Sequence, residues 1–205
     1  MSQAYLINLT TIKQFEDLSA NIKPERILGF IKKAQELDLK PLLGRVFYNS
    51  IITQLNAEGN VKDDASESII NLINGCNYTD KHQHQINYEG IIPTLVYFTL
   101  ARFIEGDAVR YSASGPVLKN HESSQALSWA DTVKIAQQYR SIANAHANEV
   151  EKYLWDNQSL YPLWQFDARN KNSRQPGARI STIDKTRLNF PLENTDPLIT
   201  YNQWL

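Results

Sequence analysis

Cysteine is nearly absent. Cys76 stands alone, so no disulfide can form within the chain, and the composition suits a reducing compartment. A strong charge of either sign is missing as well. Lys and Arg number 21 against 22 Asp and Glu, and a balance of −1 demands neither a nucleic acid nor an anionic membrane as partner. No apolar run approaches the ~20 residues of a membrane span, so no membrane partner is expected. The opening MSQAYLINLTTIKQF lacks a basic stretch followed by an apolar one, so no secretory leader is expected and a cytoplasmic chain is. What remains is 205 residues, 42% of them hydrophobic, enough for one domain with an appendage.

The most apolar stretch lies within Glu89–Tyr111. From Ile91 to Ile104 it is broken only by Pro93, two threonines and one charge, Arg102. It reads as a helix buried on most sides. Around it the 3.6-residue period recurs. Leu9–Leu18 reads as a short helix with a threonine N-cap. Pro24 opens an amphipathic helix with Ile27, Leu28, Ile31, Ala34 and Leu37 on its apolar side, and Asp38–Pro41 breaks it. A second helix carries Leu42, Leu43, Val46, Phe47, Ile51, Ile52 and Leu55. A short one over about 65–74 presents Ile69, Ile70, Leu72 and Ile73. Tyr78, Ile86 and Tyr88 around a polar centre predict a small exposed β-hairpin. Ser112–Asn120 reads as an irregular or extended link, with Gly115-Pro116 as a turn signal. The longest helical pattern covers about 123–157, with Trp129, Val133, Ala136, Tyr139, Ala143, Val150, Tyr153 and Leu154 on its apolar side.

The helical signal stops after Trp164. Residues 165–205 read as a long extended C-terminal arm. Ordering about 40 residues costs tens of kcal/mol at roughly 1–2 kcal/mol each. The arm's scattered apolar groups, worth about 1.5–3 kcal/mol each on burial, cannot offset that by collapsing on themselves. It therefore orders only against another surface. Trp164 and Phe166 at its root, with Phe190, Tyr201, Trp204 and Leu205, are the expected partner-binding anchors. Arg169, Lys171, Arg174, Arg179, Lys185 and Arg187 face one acid, Asp184, in the same stretch. They are candidates for DNA phosphate or for acids on a partner, against the plain reading of a solvated basic linker.

Other candidate sites weigh against chemistry. His82 and His84 share one face of a strand, with Cys76 nearby, but no third ligand has a recognisable spacing, so no metal is expected. No nucleophile–base pair and no paired carboxylates stand out; no enzyme and no cofactor are expected. Arg102, set in an apolar run, must have an acid as partner, in this chain or in a neighbour, because a buried half-pair costs about 3–5 kcal/mol. Arg102 with Glu105, and Asp107 with Arg110, could instead be intrahelical pairs.

Three stretches together resemble a family: Ile22–Gly44 (IKPERILGFIKKAQELDLKPLLG), Asn77–Asn120, and Lys152–Trp164 (KYLWDNQSLYPLW). In content and order they are similar to the small head–tail connector, or adaptor, proteins of tailed bacteriophages, especially those of Bacteroides-type hosts. The resemblance covers about residues 5–165 and includes no catalytic motif. It implies a mainly α helical bundle over 1–164, with a small β-hairpin, carrying the 165–205 arm. Such subunits form a ring, typically of twelve copies, on the portal protein beneath the filled head, extend the DNA channel, and offer the attachment surface for tail components. The implied location is the virion, after assembly in the host cytoplasm, with non-specific contact to channel DNA. The alternative from the residues alone is a monomeric helical binding module whose basic tail recruits nucleic acid.

Overall fold

The computed structural model describes residues 4–56, 58–107, 109–112, 115–118 and 128–164. They form a mainly α body with two small antiparallel hairpins. The expected arm lies outside the described residues, and with it Phe166, Phe190, Tyr201, Trp204, Leu205 and the basic residues Arg169, Lys171, Arg174, Arg179, Lys185 and Arg187.

Helix α1 (Leu9–Phe15) is capped by Asn8, not by a threonine: the Asn8 side chain accepts the Thr11 N–H at 2.9 Å and its hydroxyl at 3.1 Å. Asn is the stronger cap, and the two threonines fall inside the first turn. Helix α2 (Pro24–Ala34) starts on Pro24 as expected and buries Ile27, Ile31 and Ala34. It does not break at Asp38. A π turn (Gln35–Leu39) carries it into α3 (Lys40–Leu43), and the Lys40 N–H bonds the Gln35 carbonyl five residues back. Pro41 falls in the first turn of α3, where its missing N–H is tolerated. Leu28 and Leu37 are exposed, and Gln35, Leu39 and Leu43 take the inner positions.

The chain reverses at Gly44 into α4 (Arg45–Thr53), which buries Phe47, Tyr48 and Ile51 but leaves Val46 exposed. After a loop in which the Asn56 side chain accepts the N–H groups of Glu58 and Asn60, α5 (Glu67–Asn74) buries Leu72 and Ile73. The expected hairpin follows: β1 (Cys76–Thr79) pairs with β2 (Gln85–Tyr88), Tyr78 opposite Ile86 and Cys76 opposite Tyr88. Tyr88 is buried, so the inner face of the hairpin belongs to the core while the outer one is exposed.

Helix α6 (Ile92–Asp107) is the stretch that the sequence marks as most apolar, and it sits at the centre of the body. It packs against α1, α2, the π turn and α7. The link expected after it is instead a second hairpin, β3 (Val109–Ser112) antiparallel to β4 (Gly115–Leu118), with Ser112 opposite Gly115. Helix α7 (Trp129–Asp156) is capped by Ser128, whose hydroxyl accepts the Asp131 N–H at 3.1 Å. Buried Ala136, Ala143 and Ala147 leave room for close approach along α6. At about 1.5 Å per residue α7 outruns α6, and Trp129, expected on the apolar side, is half exposed at its start. A short 3₁₀ turn (Gln158–Leu160) closes the body. Trp164 is a correction to the expected anchors. It is only 4% exposed, and its N–H bonds the Tyr161 carbonyl at 3.0 Å, so its ring is core and not a free handle.

Candidate functional site

Arg102 finds its acid within the chain. Its Nε and Nη2 donate to the two carboxylate oxygens of Asp38 at 2.5 and 2.8 Å, tying α6 to the π turn. This fork drives the Arg102 pKa above its already high ordinary value. Of the two expected intrahelical pairs, Arg102–Glu105 gives way to contacts between helices, and the Arg110 side chain lies outside the described residues. Glu105 accepts both Nη groups of Arg140 on α7, and Asp107 accepts Arg26 of α2. One half of α6 thus grips α2, the π turn and α7 through three bidentate forks.

A second cluster joins the hairpin, α5 and the end of α7. Tyr153 stacks flat on Tyr88, centroids 4.0 Å apart at 6°, and meets the Tyr78 ring edge-on. The Tyr153 and Tyr161 hydroxyls are 3.0 Å apart, Tyr161 donates to the Ser68 carbonyl, and Tyr88 donates to the Leu72 carbonyl. The Cys76 thiol points at the Tyr153 hydroxyl from 3.6 Å. Burial pushes the pKa of Tyr88, Tyr153 and Tyr161 upward. Tyr78, which donates to Asp156 at 3.3 Å, is raised to about 12 by burial first and by that carboxylate next.

The hairpin tip is organised by Asp80. Its carboxylate accepts the N–H groups of His82 and His84, both at 2.8 Å, and stands 3.2 Å from the His84 ring. The His84 N–H leads the effects that hold its pKa below the ordinary value. Lys81 reaches across to α7: its ammonium donates to the Trp155 carbonyl at 3.0 Å and lies over the Trp155 ring. A cation at a helix C-terminus is favourably placed. Among the described residues no three His, Cys, Asp or Glu side chains group as a metal would require, and His82 and His84 gain no third ligand.

An open cleft of about 440 Å³ lies between Phe15, Pro93 and the base of the hairpin. Its lining includes Asn74, Asn77 and Asn87, which offer hydrogen bonds, together with Cys76, Tyr88 and Glu89. Beside it Tyr97 stacks on His146, which faces Glu89 at 3.6 Å. Taken together, these groups fix elements against one another. Among the described residues, no helix is long and apolar enough to cross a membrane.

Of the sites expected from sequence, only Arg102 has its partner described. Asp38, Arg140 and Arg26 were not anticipated as its companions in the clamp, and Gln35 and the tyrosine network were not anticipated at all. A usable signal existed for Asp38 alone: it falls on the apolar side of its helix when the period is carried forward.

A model of a family of unknown function (DUF6712) matches residues 39–174, about two thirds of the sequence. The chain belongs to that family. The DUF6712 segment begins at the end of the π turn and takes in α6, both hairpins, α7 and Trp164. No curated protein and no solved structure matches the chain significantly.

Proposed function

We propose that this chain is a structural subunit of the head–tail connector of a tailed bacteriophage, assembling as a ring on the portal protein. One observation carries the reading: the three stretches that resemble such adaptors, far apart in sequence, are bonded to one another in the body. Ile22–Gly44 meets Asn77–Asn120 through the Arg26–Asp107 and Asp38–Arg102 forks. Asn77–Asn120 meets Lys152–Trp164 through Tyr78–Asp156, Lys81–Trp155 and the Tyr88–Tyr153 stack. A shared body is what a shared architecture requires, and one chain repeated around an axis gives a closed ring. In this reading residues 165–205 carry the contacts to portal or neighbour, and the basic residues there meet acids or channel DNA.

Native mass measurement and negative-stain imaging, with and without the cognate portal protein, test it. Symmetric rings, alone or only on the portal, are expected. A monomer that shifts DNA on a gel and never captures portal would overturn the reading and favour a nucleic-acid-binding module. If the arm is the docking element, Trp204→Ala weakens portal capture by about 2 kcal/mol, roughly thirtyfold.

A further inference from the structure

The helix that runs from Pro24 to Leu43 contains one residue too many for its own register. Projected at about 100° per residue from Ile27, a regular α-helix would place Asp38 within about 20° of Ile27, in the middle of the buried face. Leu39 would stand about 120° away, toward solvent. The structure shows the reverse. Leu39 is fully buried, Asp38 lies at the flank with its side chain 18% exposed, and Leu37 is 58% exposed. The π turn over Gln35–Leu39 makes the difference, because its five-residue bond absorbs one extra position.

We infer that Leu37 is an inserted residue and that the π turn is a register joint, set by the Asp38–Arg102 fork. The insertion does three things at once. It removes a carboxylate from the apolar face, where it would stand without solvent. It aims that carboxylate at Arg102. It also brings Leu39 and Leu43 under the body in phase with Ile27, Ile31 and Gln35. Without the fork, the joint loses the contact that selects this register over the regular one, and α3 turns with it. The inference concerns the fold of this helix and is independent of the connector reading.

Deleting a residue from the middle of a packed helix ordinarily rotates everything after it by about 100°. Deletion of Leu37 is the exception to be expected. Asp38, Leu39 and Leu43 keep their directions, the helix is regular as far as Pro41, and the full chain unfolds cooperatively within about 5 °C of the parent. Deletion of exposed Asn144 from α7 serves as the control and abolishes the cooperative transition. If the two deletions are equally damaging, Leu37 is not an insertion and the inference fails. The second arm is Asp38→Asn, read by amide hydrogen exchange. Exchange over 35–43 accelerates at least tenfold while α7 is unchanged. Uniform acceleration across the body, or none, overturns the role given to the fork.

Discussion

Arg102 and Asp38 are 64 positions apart in sequence and meet as a two-bond fork, largely shielded from water by the body around them. Their geometry matches the planar guanidinium to the carboxylate plane, a match that lysine cannot reproduce. An Arg102→Ala, Asp38→Ala double-mutant cycle in denaturant unfolding should therefore return a coupling of about 1–3 kcal/mol. Each single change should cost more than the double implies, because each leaves the other charge partly buried and unpaired. Additive losses would show the fork to be ornamental.

The tyrosine cluster predicts behaviour in alkali. The folded pKa of Tyr78 is raised to about 12 from an ordinary 10.0, and those of Tyr88, Tyr153 and Tyr161 are raised as well. A group whose folded pKa is raised stabilises the fold fully below its unfolded pKa. That contribution is lost as pH climbs through the folded value. Stability should thus hold its tyrosine contribution to about pH 10 and shed it above. Tyrosinate absorbance should rise late, together with unfolding, and Tyr78→Phe should remove the component nearest pH 12. Tyr161→Phe, which removes the bond to the Ser68 carbonyl and the one to the Tyr153 hydroxyl, should cost about 1–2 kcal/mol at neutral pH.

At the hairpin tip the sign reverses. Asp80 has a pKa held below its ordinary 3.8, so its contribution is present above that value and fades as pH falls through the folded one. Asp80→Ala should accelerate amide exchange at His82 and His84 while leaving Tyr78 and Tyr88 protected. Gln83, between the two histidines, has φ +67, a backbone state that costs a side chain about 1–2 kcal/mol. Gln83→Gly should therefore stabilise the protein by about 0.5–1 kcal/mol in thermal unfolding.

The pattern of legible and illegible features follows from the range of the interactions. Periodicity located α2, α6 and α7, and alternation located the first hairpin, because each is written in residues a few positions apart. Pro24 marked its helix start for the same local reason. The fork pairings were not legible, since nothing near Arg102 names Asp38, even though Asp38's own place on the apolar side marks it as needing a partner. The π turn escaped because a one-residue insertion leaves the local period intact on both sides; only the misplaced Asp38 betrays it. The second hairpin was hidden by Gly115-Pro116, a turn signal that here falls at the start of β4. Trp164 stands where the helical signal stops, at the root of the arm, and so reads as an anchor, yet a core needs no periodicity to claim a ring.

Two glycines separate backbone conformation from close approach. Gly44 and Gly90 have nearly the same positive φ, +82 and +87, so alanine at either is strained by its backbone alone. Their surroundings differ. A Cβ on Gly44 meets nothing within 4 Å, whereas one on Gly90 would lie 2.3 Å from the Ile73 carbonyl oxygen and 2.7 Å from the Gly75 nitrogen. Both neighbours are backbone, at the point where Ile91 donates to the carbonyls of Leu72 and Ile73 and locks α6 to α5. Gly44→Ala should thus lower stability by about 1–3 kcal/mol with a normal unfolding transition. Gly90→Ala must also separate α5 from the start of α6, adding overpacking strain of about 1–3 kcal/mol. Equal losses from the two substitutions would mean that the α5–α6 junction yields freely, and that the central helix is held by its clamps alone.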